Sequence, residues 1–273
     1  MTPFAIDEDD RPIGRILTRR EILALLGGSA LVAACAPATL SAASATSAAT
    51  QGAATTAAAT AAAASAPAAA VVLPSCVVRP ALTEGPYFVD EKLNRSDIRS
   101  DPSTGTTKPG VALALTFLVS KVTGTSCAAL AAAAVDIWHC DALGVYSDAT
   151  DPTFGSTKGT KFLRGYQTTD ASGAAKFTTI WPGWYQGRAT HIHFKVRTTA
   201  AGGQASDFTS QLFFNETLND QIFALPPYSQ KGGAGRMRNE KDGIFLQSGG
   251  KLTLDPTKTA DGYAATFDIG LTA

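Results

Sequence analysis

Two of the chain's three histidines, His191 and His193, stand two residues apart, with Tyr185 six residues before the first and Arg188 three before it. In a strand over residues 190–197, the side-chain period of two places both imidazoles on one face and Ile192 on the other. Neighbouring imidazoles on a rigid strand make half of a metal site, and a nearby phenol offers it an anionic oxygen. The chemistry then turns on which other segments supply donors.

The run Val135-Asp136-Ile137-Trp138-His139-Cys140-Asp141-Ala142-Leu143-Gly144-Val145-Tyr146-Ser147 begins as an apolar strand and leaves it at Asp141, so Tyr146 falls in the loop beyond the strand end. The donor inventory is then Tyr146, Tyr185, His191 and His193, with His139 the remaining imidazole. Two phenolates and two neutral imidazoles form a hard, electron-donating set that suits Fe(III) better than Zn, Ca or Mg. His139 has the opposite strand parity to Trp138 and Cys140, which predicts a structural residue facing away from the core. Trp138, Trp181 and Trp184 are expected to be core and pocket wall.

The elements that must hold these residues are mostly strands. Residues 111–119, bounded by Pro109-Gly110 and a Gly-Thr-Ser turn, have a buried-strand pattern, and residues 134–140, 161–164, 175–181, 190–198, 208–214, 251–254 and 263–269 repeat it. Asp-Pro, Asp-Ala-Ser-Gly, Pro-Gly and Gly-Gly joints separate them, and no strongly amphipathic helix stands out. This pattern predicts an all-β fold, an antiparallel β-sandwich. The stretches 146–161 and 215–242 read as long irregular connections, and long connections in a compact domain usually build a site.

Before this body the composition changes. An Arg19-Arg20 pair precedes the uncharged, largely apolar run Ile22–Ala34. That run is too short for the roughly 20 residues of a bilayer span but suits a signal-peptide core, of a kind that resembles a twin-arginine export signal. Val32-Ala33-Ala34-Cys35 resembles a bacterial lipobox, with Cys35 lipidated as the mature N-terminus. The alternative is ordinary cleavage after Ala36, which leaves Pro37 next to the cut. Residues 36–72 are Ala, Ser and Thr with few exceptions and no charge, a composition that cannot bury enough surface to order itself. The expected organisation is a signal peptide over 1–35, a disordered tether over 36–72 and one folded domain over 73–273. An exported bacterial protein results, touching a membrane only through a lipid anchor. In an oxidising compartment Cys76 and Cys127, both in loop-like contexts, are the expected disulfide, and Cys140 is a buried free thiol. Lys+Arg and Asp+Glu are both 23, for a formal net charge of zero. That balance gives no electrostatic footprint for nucleic acid. No phosphate-cradling or dinucleotide-binding loop is present; Gly232-Gly233-Ala234-Gly235 reads as a plain loop.

Taken together, the body resembles the intradiol ring-cleavage dioxygenases, the family of catechol and protocatechuate dioxygenases. The matching segments are Thr83-Glu84-Gly85-Pro86-Tyr87-Phe88, residues 136–141 with 144–147, Phe162-Leu163-Arg164-Gly165, Asp170-Ala171-Ser172-Gly173, residues 177–185, Arg188 with 191–194, and Ser210-Gln211-Leu212-Phe213-Phe214. The resemblance implies a mononuclear non-haem Fe(III) held by Tyr146, Tyr185, His191 and His193. It implies Tyr185 as the ligand that gives way to the diol, Arg188 beside the substrate ring and Gln211 lining the same pocket. It implies a β-sandwich, and as reactants a small aromatic vicinal diol and O2, giving a cis,cis-muconate-type diacid. The helical dimerisation segment of the cytoplasmic catechol enzymes has no counterpart, and the short Tyr185–His191 loop predicts a more open pocket. Two other readings stay open. A three-histidine zinc hydrolase site on His139, His191 and His193 would leave both tyrosines without a role. An anchored sandwich that binds a cell-wall or plant polymer would be non-catalytic.

Overall fold

The computed structural model describes residues 77–199 and 205–272. The signal, the lipidation residue Cys35, the tether and Cys76 lie outside the described residues. The chain runs β1 (Ala112–Thr123), β2 (Ser126–Ala129), β3 (Ala134–Trp138), β4 (Thr150–Asp151), β5 (Gly155–Ser156), β6 (Arg164–Thr168), β7 (Ala174–Ile180), β8 (His191–Thr199), β9 (Ala205–Phe213), α1 (Glu216–Phe223), α2 (Gly243–Gln247), β10 (Thr257–Lys258) and β11 (Gly262–Thr272).

Two sheets face each other. In one, β1 is central, with β11 on one side and β7 and β2 on the other, and β10 extends beyond β11. The other has the order β6-β3-β8-β9. All pairings are antiparallel except β1 with β11, which run parallel from Ala112 opposite Gly262 to Val122 opposite Thr272. Alternation along β1 sends Leu113, Leu115, Phe117 and Val119 inward, each at most 1% exposed. Ile192, Phe194 and Val196 of β8 meet them from the opposite sheet, and all three are fully buried. The Phe117 ring sits between the layers, 5.2 Å from Phe194 and 5.9 Å from Phe267. This aromatic layer, reinforced by Phe177, is the core.

β8 is buried on both faces, and this is what makes a site possible. Its second face carries His191, His193, Lys195 and Arg197. Residues 82–95 and the loops after β3 and before β8 cover that face. In register, Trp138 of β3 and Gln211 of β9 flank His193.

Several expectations need correction. The strand expected at 161–164 begins only at Arg164, because Phe162 and Leu163 are buried anchors that precede it. Residues 251–254 alternate like a strand but form only an isolated bridge, Thr253 with Phe213. The connection 146–161 contains the β4–β5 hairpin. The connection 215–242 holds α1, capped by the Asn215 side chain on Thr217 N and Leu218 N.

Candidate metal centre

The loops that carry the two tyrosines are tied to each other before either phenol is placed. Asp141 closes the turn after β3, its Oδ1 accepting from Leu143 N and Val145 N at 3.0 Å each. Its carbonyl accepts from Gly183 N at 3.1 Å, so the Tyr146 loop and the Tyr185 loop share a backbone hydrogen bond. Gly144 has φ +88°, and a Cβ there would lie 2.3 Å from the Trp184 carbonyl oxygen; only glycine permits this approach. Lys231 Nζ donates to the Leu143 and Trp184 carbonyls at 2.9 and 2.8 Å, clamping both loops from outside.

On this frame four side chains converge. Tyr185 Oη lies 3.2 Å from His191 Nε2, and His191 Nε2 lies 3.0 Å from His193 Nε2. The Tyr146 and Tyr185 rings meet edge to face at 5.6 Å. Tyr146 is fully buried, and its hydroxyl neighbours that of Tyr185. His191 and His193 are 2% and 1% exposed, whereas Tyr185 is half-buried. His191 Nδ1 donates to the Ala189 carbonyl at 2.6 Å, which fixes the tautomer and leaves Nε2 with a lone pair. Trp138 stacks on His193 at 5.1 Å and 7° between planes. Burial, then the neighbouring Arg188 charge, lowers the His191 pKa well below the usual imidazole range. Burial and His191 do the same for His193. Burial and the neighbouring Tyr185 push the Tyr146 hydroxyl well above the usual phenol range, with the Arg188 charge acting the other way. Two buried neutral imidazoles with their Nε2 atoms face to face, one with its Nδ1 unsatisfied, beside a fully buried phenol make a polar cluster that is costly unless something positive sits among them.

The donor set fits a metal ion. Separations of 3.0 and 3.2 Å match those between adjacent ligands that bind one ion at roughly 2.1 Å. No group of three or more His, Cys, Asp or Glu able to hold a metal is found among the described residues, so the phenols are needed to complete a ligand set. The three-histidine alternative fails at His139. Its Nδ1 donates to the Cys140 carbonyl at 2.8 Å, and its Nε2 accepts from Thr179 Oγ1 at 2.7 Å. No lone pair is left for a metal. His139 is 1% exposed, so the expectation that it faces away from the core is corrected: strand parity does not apply past the end of β3, where the chain turns the ring inward.

Arg188 and Gln211 adjoin the donors. Arg188 NH2 donates to Gln211 Oε1 at 2.5 Å, and Gln211 Nε2 donates to the Thr83 carbonyl at 2.9 Å. The carboxylate of Asp242 receives Arg188 Nε at 3.1 Å. The segment from Thr83 forms a strap over the site: Gly85 lies against His193, and Tyr87 stacks on Tyr146 at 4.2 Å. Arg164 ties this strap to the Tyr146 loop through the Tyr87 carbonyl and Ser147. A depression of about 470 Å³ opens between Pro86–Val89 on one side and Asp148–Asp151 with Lys158 on the other. Sequence reasoning assigned no role to Asp242, Tyr87 or Arg164. Asp242 before the apolar run Ile244-Phe245-Leu246 is a helix-cap signal, but nothing in the chain announces its contact with Arg188. Cys127 is disulfide-bonded, and Cys140 is a buried free thiol.

With this geometry in view, the likeness to other proteins has a physical meaning. The sequence profile of a family described as Dioxygenase matches residues 83–269. The solved intradiol ring-cleavage dioxygenase from Tetranychus urticae is 30% identical, with a TM-score of 0.62 over 72% of this chain and 95% of its own. The chain belongs to the intradiol ring-cleavage dioxygenase family. Another similar structure is the dioxygenase domain of a dioxygenase carbohydrate-binding protein fusion from the cellulolytic bacterium Streptomyces sp. SirexAA-E. It is 27% identical, with a TM-score of 0.50 over 72% of this chain and 99% of that one. No curated sequence matches the chain. Within this intradiol dioxygenase, the strap from Thr83, the Tyr146 loop and Arg188 with His191 and His193 meet at the second face of β8, whereas residues 177–180 lie in β7 of the opposite sheet and the Asp170–Gly173 turn joins β6 to β7.

Proposed function

We propose that the protein is a non-haem Fe(III)-dependent dioxygenase that opens catechol-type rings between the two hydroxyl-bearing carbons. Both atoms of O2 enter the product, a cis,cis-muconate-type diacid, so the reaction needs no other oxidant. The observation that carries the reading is the convergence of Tyr185 Oη, His191 Nε2 and His193 Nε2 within 3.2 Å steps beside the fully buried Tyr146 hydroxyl. Tyr146, Tyr185, His191 and His193 are the residues that would hold the iron, and the hardness of this set favours the ferric state. When bound, ferric iron supplies a Lewis acid that chelates the diol and draws charge from its ring, so that O2 attacks carbon.

The side chains divide the remaining work. Tyr185, the more exposed phenol, takes a proton from the incoming diol at its Oη. Arg188, held by Gln211, places a cation where negative charge grows on the ring in a mostly dry pocket, an interaction worth several kcal/mol. Tyr146, Trp138 and the strap exclude water.

We propose further, from the Arg19-Arg20 pair and the lipobox-like Val32-Ala33-Ala34-Cys35, that the enzyme is exported from a bacterial cytoplasm and tethered by lipidated Cys35. Oxidised Cys127 supports an oxidising compartment, and Cys76 is the proposed partner. The substrates would then be aromatics met outside the cell, and the fusion from a cellulolytic bacterium makes lignin-derived diols the first to try. The test is to supply the purified protein with iron and a panel of catechols and to measure oxygen uptake and ring-opened diacid. One diacid per O2 supports the reading; no turnover of any diol by the iron-loaded protein refutes it.

A further inference from the structure

The acidic residue deepest in the site is Asp242, 1% exposed, and each of its carboxylate oxygens has two partners. Oδ1 accepts from Ile244 N at 2.8 Å and Phe245 N at 3.1 Å, capping α2. Oδ2 accepts from Ala189 N at 2.7 Å and from Arg188 Nε at 3.1 Å. The first oxygen serves the helix; the second reaches the segment between Tyr185 and His191.

What that oxygen fixes is unusual in its reach. The Arg188 side chain is 9% exposed and that of Asp242 1%, so the ion pair is screened little by solvent. With Nε held by Asp242, the guanidinium plane is set, and its NH2 meets Gln211 Oε1 at 2.5 Å. On the other side, the Ala189 peptide whose N–H is bound by Asp242 presents its carbonyl to His191 Nδ1 at 2.6 Å. One carboxylate therefore restrains both the cation of the pocket and the peptide that sets the tautomer of a metal-site imidazole. Supports of this kind typically change affinity or rate by about ten- to a hundredfold when removed.

We infer that Asp242 is the positioning residue of this site, aiming the Arg188 guanidinium into the pocket and orienting His191 through Ala189. This rests on the dioxygenase reading for its kinetic consequence but not for its structural content. The variant that separates the two oxygens is Asp242→Asn. Asparagine is a good helix cap, so its oxygen can keep the bonds to Ile244 and Phe245, while its NH2 then faces two N–H donors. In the iron-loaded enzyme, Asp242→Asn is expected to lower kcat by about tenfold or more, with KM for the diol little changed and iron content retained. In an Arg188→Ala background the same change should cost clearly less than it does in the wild type, because only the Ala189–His191 arm is left for it to act through. Unchanged kcat in folded Asp242→Asn, or losses that multiply in the double variant, would overturn the inference.

A second measurement needs neither iron nor diol and no folded Asp242 variant. In the metal-free wild-type protein, the Arg188 Nε–H resonance, assigned by its loss in Arg188→Ala, should exchange with solvent on the order of a hundredfold more slowly than that of an exposed arginine. Fast exchange would overturn the clamp whatever the enzyme does. A slow Nε–H in a protein that turns over no diol would leave the clamp standing and remove the catalytic reading instead.

Discussion

Arg188 and His139 show how burial decides what a polar side chain does. Arg188 is 7% exposed, and Asp242 and Gln211 hold it at the edge of the donor cluster. Arg188→Ala is expected to keep iron and to lower kcat/KM by roughly a hundred- to a thousandfold, the usual loss for a preorganised charge of this kind; steady-state kinetics beside an iron assay checks both halves. His139 is structural instead. Burial lowers its pKa from 6.5 to about 4. Between those values the unfolded chain binds a proton at this ring and the folded chain does not. Stability is therefore lost as the pH falls from 6.5 towards about 4, by roughly 3 kcal/mol in total for this group. Denaturant unfolding across that window should show the slope, and His139→Gln should lack this part of it. Spacing brought His191, His193, Tyr146 and Tyr185 into view together with His139, because a two-residue repeat and a strand-ending loop are local features, and the family resemblance then singled out the four as ligands. Asp242 was invisible, since its contact with Arg188 joins residues 54 apart in the chain.

At the scale of elements, β8 does most of the positioning, and the strap 82–95 closes the face that β8 presents. Gly85 has φ +72°, and a Cβ there would sit 3.0 Å from His193 Cε1. Gly85→Ala should cost about 1–3 kcal/mol through backbone strain and, by pushing the imbricated His193 ring, weaken iron binding; thermal melts and a chelator-competition titration read the two effects. The strands β1, β7, β8, β9 and β11 were legible because alternation and Gly/Pro joints coincide there. α1 was not, since only Asn219, Ile222 and Phe223 of its residues are buried, too few to write a helical stripe. The parallel pairing of β1 with β11 also escaped, because a period of two marks a strand without giving its direction.

The whole molecule is two sheets around an aromatic layer, with the site built on the outer face of one of them. Phe117 lies in that layer, away from the donors, and is fully buried. Phe117→Ala should cost about 3–5 kcal/mol of stability, measured by denaturant unfolding, while iron content per folded molecule stays at the wild-type level. No helix among the described residues is long and apolar enough to cross a membrane. The central claim concerns the four donors, and a ferric titration tests it most directly. The metal-free protein should bind one Fe(III) per chain and develop a visible tyrosinate-to-iron charge-transfer band, and Tyr146→Phe should lose the iron or most of that band. A protein that binds no iron, or binds it without colour and without regard to Tyr146, would contradict the account.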